Sequence, residues 1–445
     1  MWSLMPAAVL LILATLPIMN LSSPVALGTL AWAVLWLANG LLGFDFYQSR
    51  PVLLLVFTAN LAFYFGGLVV SVRHRPREDS LTTGERRDLL LVGAASRNIF
   101  ALVLFVLGVM TLQVGLQQMG RSQGLLALVT GGQQEFFESL RLGKASLSQG
   151  NEWTVPSGVK LCTAALCAMA VLVGINLAAR PEGQRPTKAT IWMAALTAAL
   201  AFVLSAGTGV RGLILVVAFL FVSSVLAAEV FISGGRNVIS LKWLRWSVGS
   251  IAVFLVWVVV VQSARLQDTQ LQHVGATLDH LRPWFAGYIP ALGAWYDTSY
   301  TDTTLGWGSS LGRAVFSPLG LQSGEGFNER VDFVFIADGV SSNAMTIFRV
   351  IWSDFGVAGG MLVAFAAGAA SEGIFRATVA RGRGWLVALA CVYASVLYSI
   401  NYWFFGYGAR VMGVAIAVAI VSATIPRMPA RTLNKHAFSR SKVAS

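Results

Sequence analysis

Apolar residues run along this chain in long blocks separated by short polar connections, and most blocks have the length of a membrane crossing. Successive runs cover Met5 to Leu21, Val25 to Phe44, Pro51 to Val70, Asn98 to Leu116, Val159 to Ala179, Ala189 to Leu204, Gly212 to Ile232, Trp246 to Gln262, Met345 to Ile374, Trp385 to Tyr402 and Tyr407 to Ile425. A helix of about 20 apolar residues crosses the hydrocarbon, so the pattern predicts an all-α polytopic membrane protein of about 11 transmembrane helices (10–12). The run from Met345 exceeds one crossing, and its first turns are expected to stand above the membrane. Polar excursions fall near 117–157 and, at greater length, over 264–342. The chain thus divides into 1–263 with helices one to eight, a large loop over 264–342 expected to carry short helices, 343–426 with helices nine to eleven, and a basic tail over 427–445.

Composition supports the pattern. Of 445 residues, 56% are hydrophobic and 12% charged, which excludes one or two soluble domains. The net charge of +12 fits basic loops that fix orientation rather than nucleic-acid binding. Arginines and lysines gather around Arg75, Arg86, Arg185, Lys242 and Arg383 and in the tail. The positive-inside rule makes these segments cytoplasmic and puts both polar excursions, with the amino terminus, outside. Cys162, Cys167 and Cys391 lie within apolar runs and imply neither disulfide nor metal. No G-x-x-x-x-G-K-[ST] loop occurs, and no cofactor or metal is expected.

The outer side carries fewer arginines, placed where charge is costly. Arg211 opens the seventh run, Arg349 lies in the ninth and Arg410 in the eleventh. Such residues often mark a site, and three at one leaflet suggest a pocket for a multiply charged anion. The plainer alternative is that each snorkels or pairs with a carboxylate. Glu229 and Glu372, near inner helix ends, are read as snorkelling. Around the start of the ninth helix Asn343, Thr346 and Arg349 recur every three residues and Asp354 returns to the Asn343 azimuth, predicting one polar helix face. Gly356 and Gly360 form a small-xxx-small packing pair, and Asp354 has a structural alternative, orienting an arginine on another helix.

The order Asn343-Ala-Met-Thr346, then Ser353-Asp354-Phe355-Gly356 and Gly359, resembles a signature of bacterial oligosaccharide repeat unit polymerases, the Wzy-type O-antigen and exopolysaccharide polymerases. Thr208-Gly-Val-Arg211-Gly212, Val261-Gln-Ser-Ala-Arg265 and Tyr288-Ile-Pro-Ala-Leu-Gly-Ala-Trp-Tyr296 are similar to other family segments in the expected order. The likeness covers Thr208 to Gly360. Val210 replaces a small polar residue and Ala344-Met345 an aromatic.

The resemblance implies a GT-C-like membrane glycosyltransferase of the bacterial inner membrane, working at the periplasmic face. It would transfer a growing glycan from undecaprenyl pyrophosphate to a new lipid-linked repeat unit, and a chain-length regulator is an implied partner. Guanidinium groups suit the pyrophosphate leaving group, with Arg211, Arg349, Arg410 and Arg265 the first candidates and Arg282 and Arg330 in reserve. His280 is the candidate base, beside Asp279, with Asp354, Asp332 and Asp338 as competitors. Trp284, Tyr288 and Tyr296 offer faces for sugar stacking, or else form an interfacial aromatic belt; Asn343 belongs with the substrate-binding set. An O-antigen ligase is the nearest alternative, although Ser342 stands where that family carries histidine. A polysaccharide or lipid-linked sugar transporter is a further one, without the internal repeats it would show.

Overall fold

The computed structural model describes residues 3–16, 20–73, 81–119, 155–180, 184–208, 212–239, 281–302, 304–316, 333–343 and 345–426. The eighth apolar run, most of the first polar excursion and the basic tail lie outside the described residues, as do Arg211, Arg265, His280 and Arg330. The helices in chain order are α1 (Leu4–Thr15), α2 (Pro24–Leu42), α3 (Arg50–Arg73), α4 (Thr83–Val92), α5 (Ala94–Gln118), α6 (Ser157–Ala178), α7 (Lys188–Thr208), α8 (Gly212–Ile232), α9 (Tyr288–Ser299), α10 (Ser309–Phe316), α11 (Ile347–Arg381), α12 (Gly384–Tyr398) and α13 (Gly408–Thr424). A two-stranded antiparallel hairpin, β1 (Val334–Ala337) and β2 (Val340–Ser342), turns through Asp338-Gly339.

This is a multi-pass membrane protein. Among the described residues seven helices, α2, α3, α5, α6, α7, α8 and α11, are long and apolar enough to cross a bilayer. Three more, α1, α12 and α13, are apolar but hold 12, 15 and 17 residues. Helix α6 is the buried centre of one half, packed by α5, α7, α8 and α13. Its run of small residues, Cys162-Thr-Ala-Ala-Leu-Cys-Ala, lets neighbouring backbones come close. The other half gathers α1, α2, α3, α9 and the first half of α11 around Trp32, Trp36, Trp295 and Trp352.

Helices α3 and α11 meet at glycines. A Cβ on Gly66 would strike the Phe365 carbonyl, and one on Gly368 the Phe63 carbonyl, so each backbone fits the other only where no side chain stands. This is not the pair expected from sequence. Gly360 faces the Trp352 indole of its own helix, and Gly356 has φ 68° and ψ 178°, which breaks α11.

Two further expectations are corrected. Asn343 follows β2 and α11 begins only at Ile347, capped by the Thr346 hydroxyl, so Asn343 and Arg349 do not share a helix face. Glu372 does not snorkel: it is 2% exposed and bonds Arg376 at 3.0 Å. The sequence reading also missed α4, started by a Thr82–Glu85 capping box.

The bundle has two unlike ends. At the basic end lie Arg73, α4 and the α11–α12 turn. The hairpin end carries β1 and β2, α9 and α10, with the starts of α11 and α13.

Candidate functional site

The hairpin end is built around the break in α11. Because Gly356 leaves the helical path, carbonyls just before it lose their intrahelical donors. Ser353 O instead accepts from Gly306 N at 3.0 Å, and Asp354 O from Trp307 N at 2.9 Å. The Asp354 carboxylate, fully buried, accepts from Ser310 N at 3.1 Å and Leu311 N at 2.8 Å. Those two N–H groups belong to the first turn of α10, which has no intrahelical acceptor for them. Asp354 therefore caps a helix that is distant in sequence, where its negative charge also suits the dipole. Phe355 packs at Gly308, and Gly359 leaves room for the Phe355 side chain. The motif that resembles the polymerase signature thus works here as a dock for α10.

The far side of α10 reaches the last helices. Trp403 Nε1 donates to Leu311 O at 2.9 Å, and α10 packs against both α11 and α13. The end of α12 joins the same cluster, since Ser399 O accepts from Ile347 N at 2.9 Å and Ser399 Oγ from Trp32 Nε1 at 3.1 Å.

Arg349 and Arg410 occupy the same place in their helices. Each is the third residue, Arg349 after Ile347-Phe348 and Arg410 after Gly408-Ala409, and they are 8% and 6% exposed. A cation in a first turn opposes the helix dipole, so helix stability does not explain either one. The Arg349 guanidinium lies 5.5 Å from the Trp295 ring. Arg410 sits among three rings, at 4.5 Å from Tyr407, 5.1 Å from Tyr398 and 5.5 Å from Phe404, and donates to Phe404 O at 2.9 Å. Among the described residues Arg410 has no carboxylate partner. Tyr398 and Ser399 are adjacent, so the end of α12 ties the Arg410 cage to the start of α11.

The remaining predicted residues divide. Tyr296 stacks on Tyr300 at 4.6 Å and meets Trp352 edge-on at 5.8 Å, so its ring is engaged within the protein. Burial raises its phenol above the ordinary value. Tyr288 is half-buried at the start of α9, Asn343 is exposed after β2, and Trp284 is 41% exposed. Sequence reasoning missed other exposed rings at this end, among them Trp307, Phe333 and Phe335.

Arg282 pairs with Asp45 in the α2–α3 connection and lies 4.5 Å from the Phe46 ring. The hydrogen bond from Arg282 holds the Asp45 carboxyl below its ordinary value. Tyr47 donates its hydroxyl to Asp297 at 2.7 Å, which raises the Tyr47 phenol, and its amide to Ile336 O at 2.6 Å. The hairpin is thereby fixed over α9 and the α2–α3 connection. An open cavity of about 810 Å³ lies there, lined by Asp45, Tyr47, Arg282, Phe335 and Asp338 among others. The described residues include no cluster of three or more His, Cys, Asp or Glu suited to a metal.

Comparison with protein-family models, curated proteins and solved structures finds no significant match to this chain.

Proposed function

We propose that the protein is a membrane glycosyltransferase that polymerises undecaprenyl-pyrophosphate-linked oligosaccharide repeat units, with the hairpin end facing the periplasm. The observation that carries this reading is the pair Arg349 and Arg410, buried cations at the first turns of two helices joined through the end of α12. Positive helix ends and guanidinium groups combine into a field suited to a multiply charged anion. Arg211 and Arg265 join this set on the resemblance. The topology that goes with it has eleven crossings, and the positive-inside rule puts the basic end in the cytoplasm.

In this mechanism the acceptor hydroxyl attacks the anomeric carbon of the donor glycan while the bond from that carbon to the pyrophosphate oxygen breaks. Negative charge grows on the leaving oxygen. Paired N–H donors of arginine meet it there, in a poorly hydrated setting where such contacts are worth most. The acceptor's proton passes to a base, for which His280 is the choice from sequence. Asp354 acts as a positioning residue, because its oxygens are already engaged by α10. The cavity beneath the hairpin offers the acceptor sugars carboxylates, a guanidinium and the exposed Phe335 ring, which are the groups that bind hydroxyls and sugar faces.

The test is polymer formation from purified lipid-linked repeat units by Arg349→Lys and Arg410→Lys variants that still insert and fold. Lysine keeps the charge and loses the fork. A loss of about 10²-fold or more is expected for each. Near wild-type rates in both would overturn the reading.

A further inference from the structure

At the basic end, the turn between α11 and α12 borders a second cavity, of about 680 Å³, that opens between α12 and α13. Its rim is cationic. Arg381 ends α11 exposed, 6.0 Å from the Trp385 ring, and among the described residues it has no hydrogen bond or ion pair. Arg383 is held at φ 51°, one of two non-glycine residues with positive φ among those described. That backbone cost turns its side chain to Ser422 O at 2.7 Å and Ile425 O at 3.2 Å, leaving Nη1 without a protein partner among the described residues. The same turn opens the 15-residue helix α12, whose N-cap, Arg383, supplies no side-chain cap.

The walls are of another character. Ala388 from α12 and Val418 from α13 line the cavity with the indole of Trp385, and Trp385 is 38% exposed at a helix start, where interfacial tryptophans sit. A cationic rim above an apolar cleft between membrane helices suits a molecule with an anionic head and hydrocarbon tails. We infer that this cleft binds an anionic phospholipid, its phosphate held by Arg381, Arg383 Nη1 and the N-terminal amides of α12, its acyl chain along Ala388 and Val418. The site lies at the opposite end from Arg349 and Arg410 and does not depend on the reaction proposed for them.

The full chain in detergent, titrated with phosphatidylglycerol or phosphatidylcholine and analysed for retained lipid by native mass spectrometry, tests this. Wild type should retain phosphatidylglycerol in preference to phosphatidylcholine. Arg381→Gln should lower retention about five-fold, the share of one surface arginine, and Ala388→Trp should lower it without changing charge. Arg73→Gln, removing an exposed arginine at the same end, should leave retention unchanged. Equal losses from Arg73→Gln and Arg381→Gln would show diffuse attraction and overturn the site. So would wild-type retention by Arg381→Gln, whose exposed side chain is not needed for folding. Displacement of the lipid by an equal concentration of inorganic phosphate would overturn the lipid assignment in favour of a free-anion site.

Discussion

At the basic end, Arg86, Arg97, Arg376 and Arg383 donate to carbonyls at the closing turns of helices, whereas at the hairpin end Arg349 and Arg410 stand in the opening turns of theirs. Arg86 reaches Phe231 O at 3.1 Å and Val379 O at 2.8 Å, at the ends of α8 and α11. Arg97 reaches Leu90 O at the end of α4, and Arg376 reaches Ser71 O, at 3.1 Å, at the end of α3. A cation there satisfies carbonyls that have no intrahelical donor and complements the dipole. The first set thus accounts for itself as fastening. The second set works against the dipole: Arg349 lies against the Trp295 ring, and Arg410 lies among three rings and bonds Phe404 O. Helix capping does not account for it, and an anionic substrate is the role proposed for it above. Residue type does not separate the two sets; the helix end each one meets does.

The sharpest way to break that comparison is to exchange the same residue at both ends. Arg410→Lys should cost about 10²-fold or more in polymerisation per folded molecule, beyond the stability lost with its bond to Phe404 O. Arg86→Lys should leave turnover per folded molecule near wild type and remove about 1.5–3 kcal/mol, the scale of one charge-assisted hydrogen bond. Turnover per folded molecule and unfolding in detergent, measured side by side, decide it. If Arg86→Lys loses turnover per folded molecule and Arg410→Lys keeps it, the division is wrong.

A smaller effect is expected at Asp354, where fastening also occurs at the hairpin end. Asp354→Ala leaves two first-turn amides of α10 without acceptors and should cost about 1–2 kcal/mol, as loss of a helix cap does. Asp354→Asn keeps one acceptor oxygen and should retain most activity with an unchanged pH profile. A general base replaced in this way would lose about 10²–10⁴-fold, so a collapse of turnover in Asp354→Asn that spares stability would return this carboxylate to the chemistry.

Much of the fold was legible because hydropathy alone delimits spans: Gly212–Ile232 was read to the residue, and α2, α3, α5, α6 and α7 within a few. Features that depend on backbone exceptions were not. Asp338-Gly339 between Val334–Ala337 and Val340–Ser342 is a hairpin signal, yet it lay hidden in a segment read only as a polar loop. The capping box at Thr82 was likewise obscured by its basic neighbours. Gly356 was visible as a glycine, but whether it packs or breaks a helix depends on Gly306 and Trp307 waiting to receive the released carbonyls. The Arg410 cage comes from Tyr398, Phe404 and Tyr407, all nearby in sequence. By contrast, the partners of Arg86 lie on two distant helices, and no local pattern announces them.

The smallest effect concerns Arg282, which pairs with a carboxylate at the hairpin end. Its pair with Asp45 is partly exposed, at 31% and 44% of the two side chains, so solvent screening limits it to about 0–1 kcal/mol. The sign is set by the lowered carboxyl. A group held below its ordinary value of 3.8 adds stability at and above that value, and the contribution disappears as pH falls through the lowered one. Hydrogen exchange at the Tyr47 amide, bound to Ile336 O across the hairpin contact, should therefore keep its local opening free energy from about pH 7 to 5 and lose a few tenths of a kcal/mol below about pH 4. Asp45→Asn should remove that acid step while leaving the Tyr47–Asp297 bond in place. If the variant keeps the same step, another carboxylate carries it, with Asp297, the hydroxyl partner of Tyr47, the first to examine.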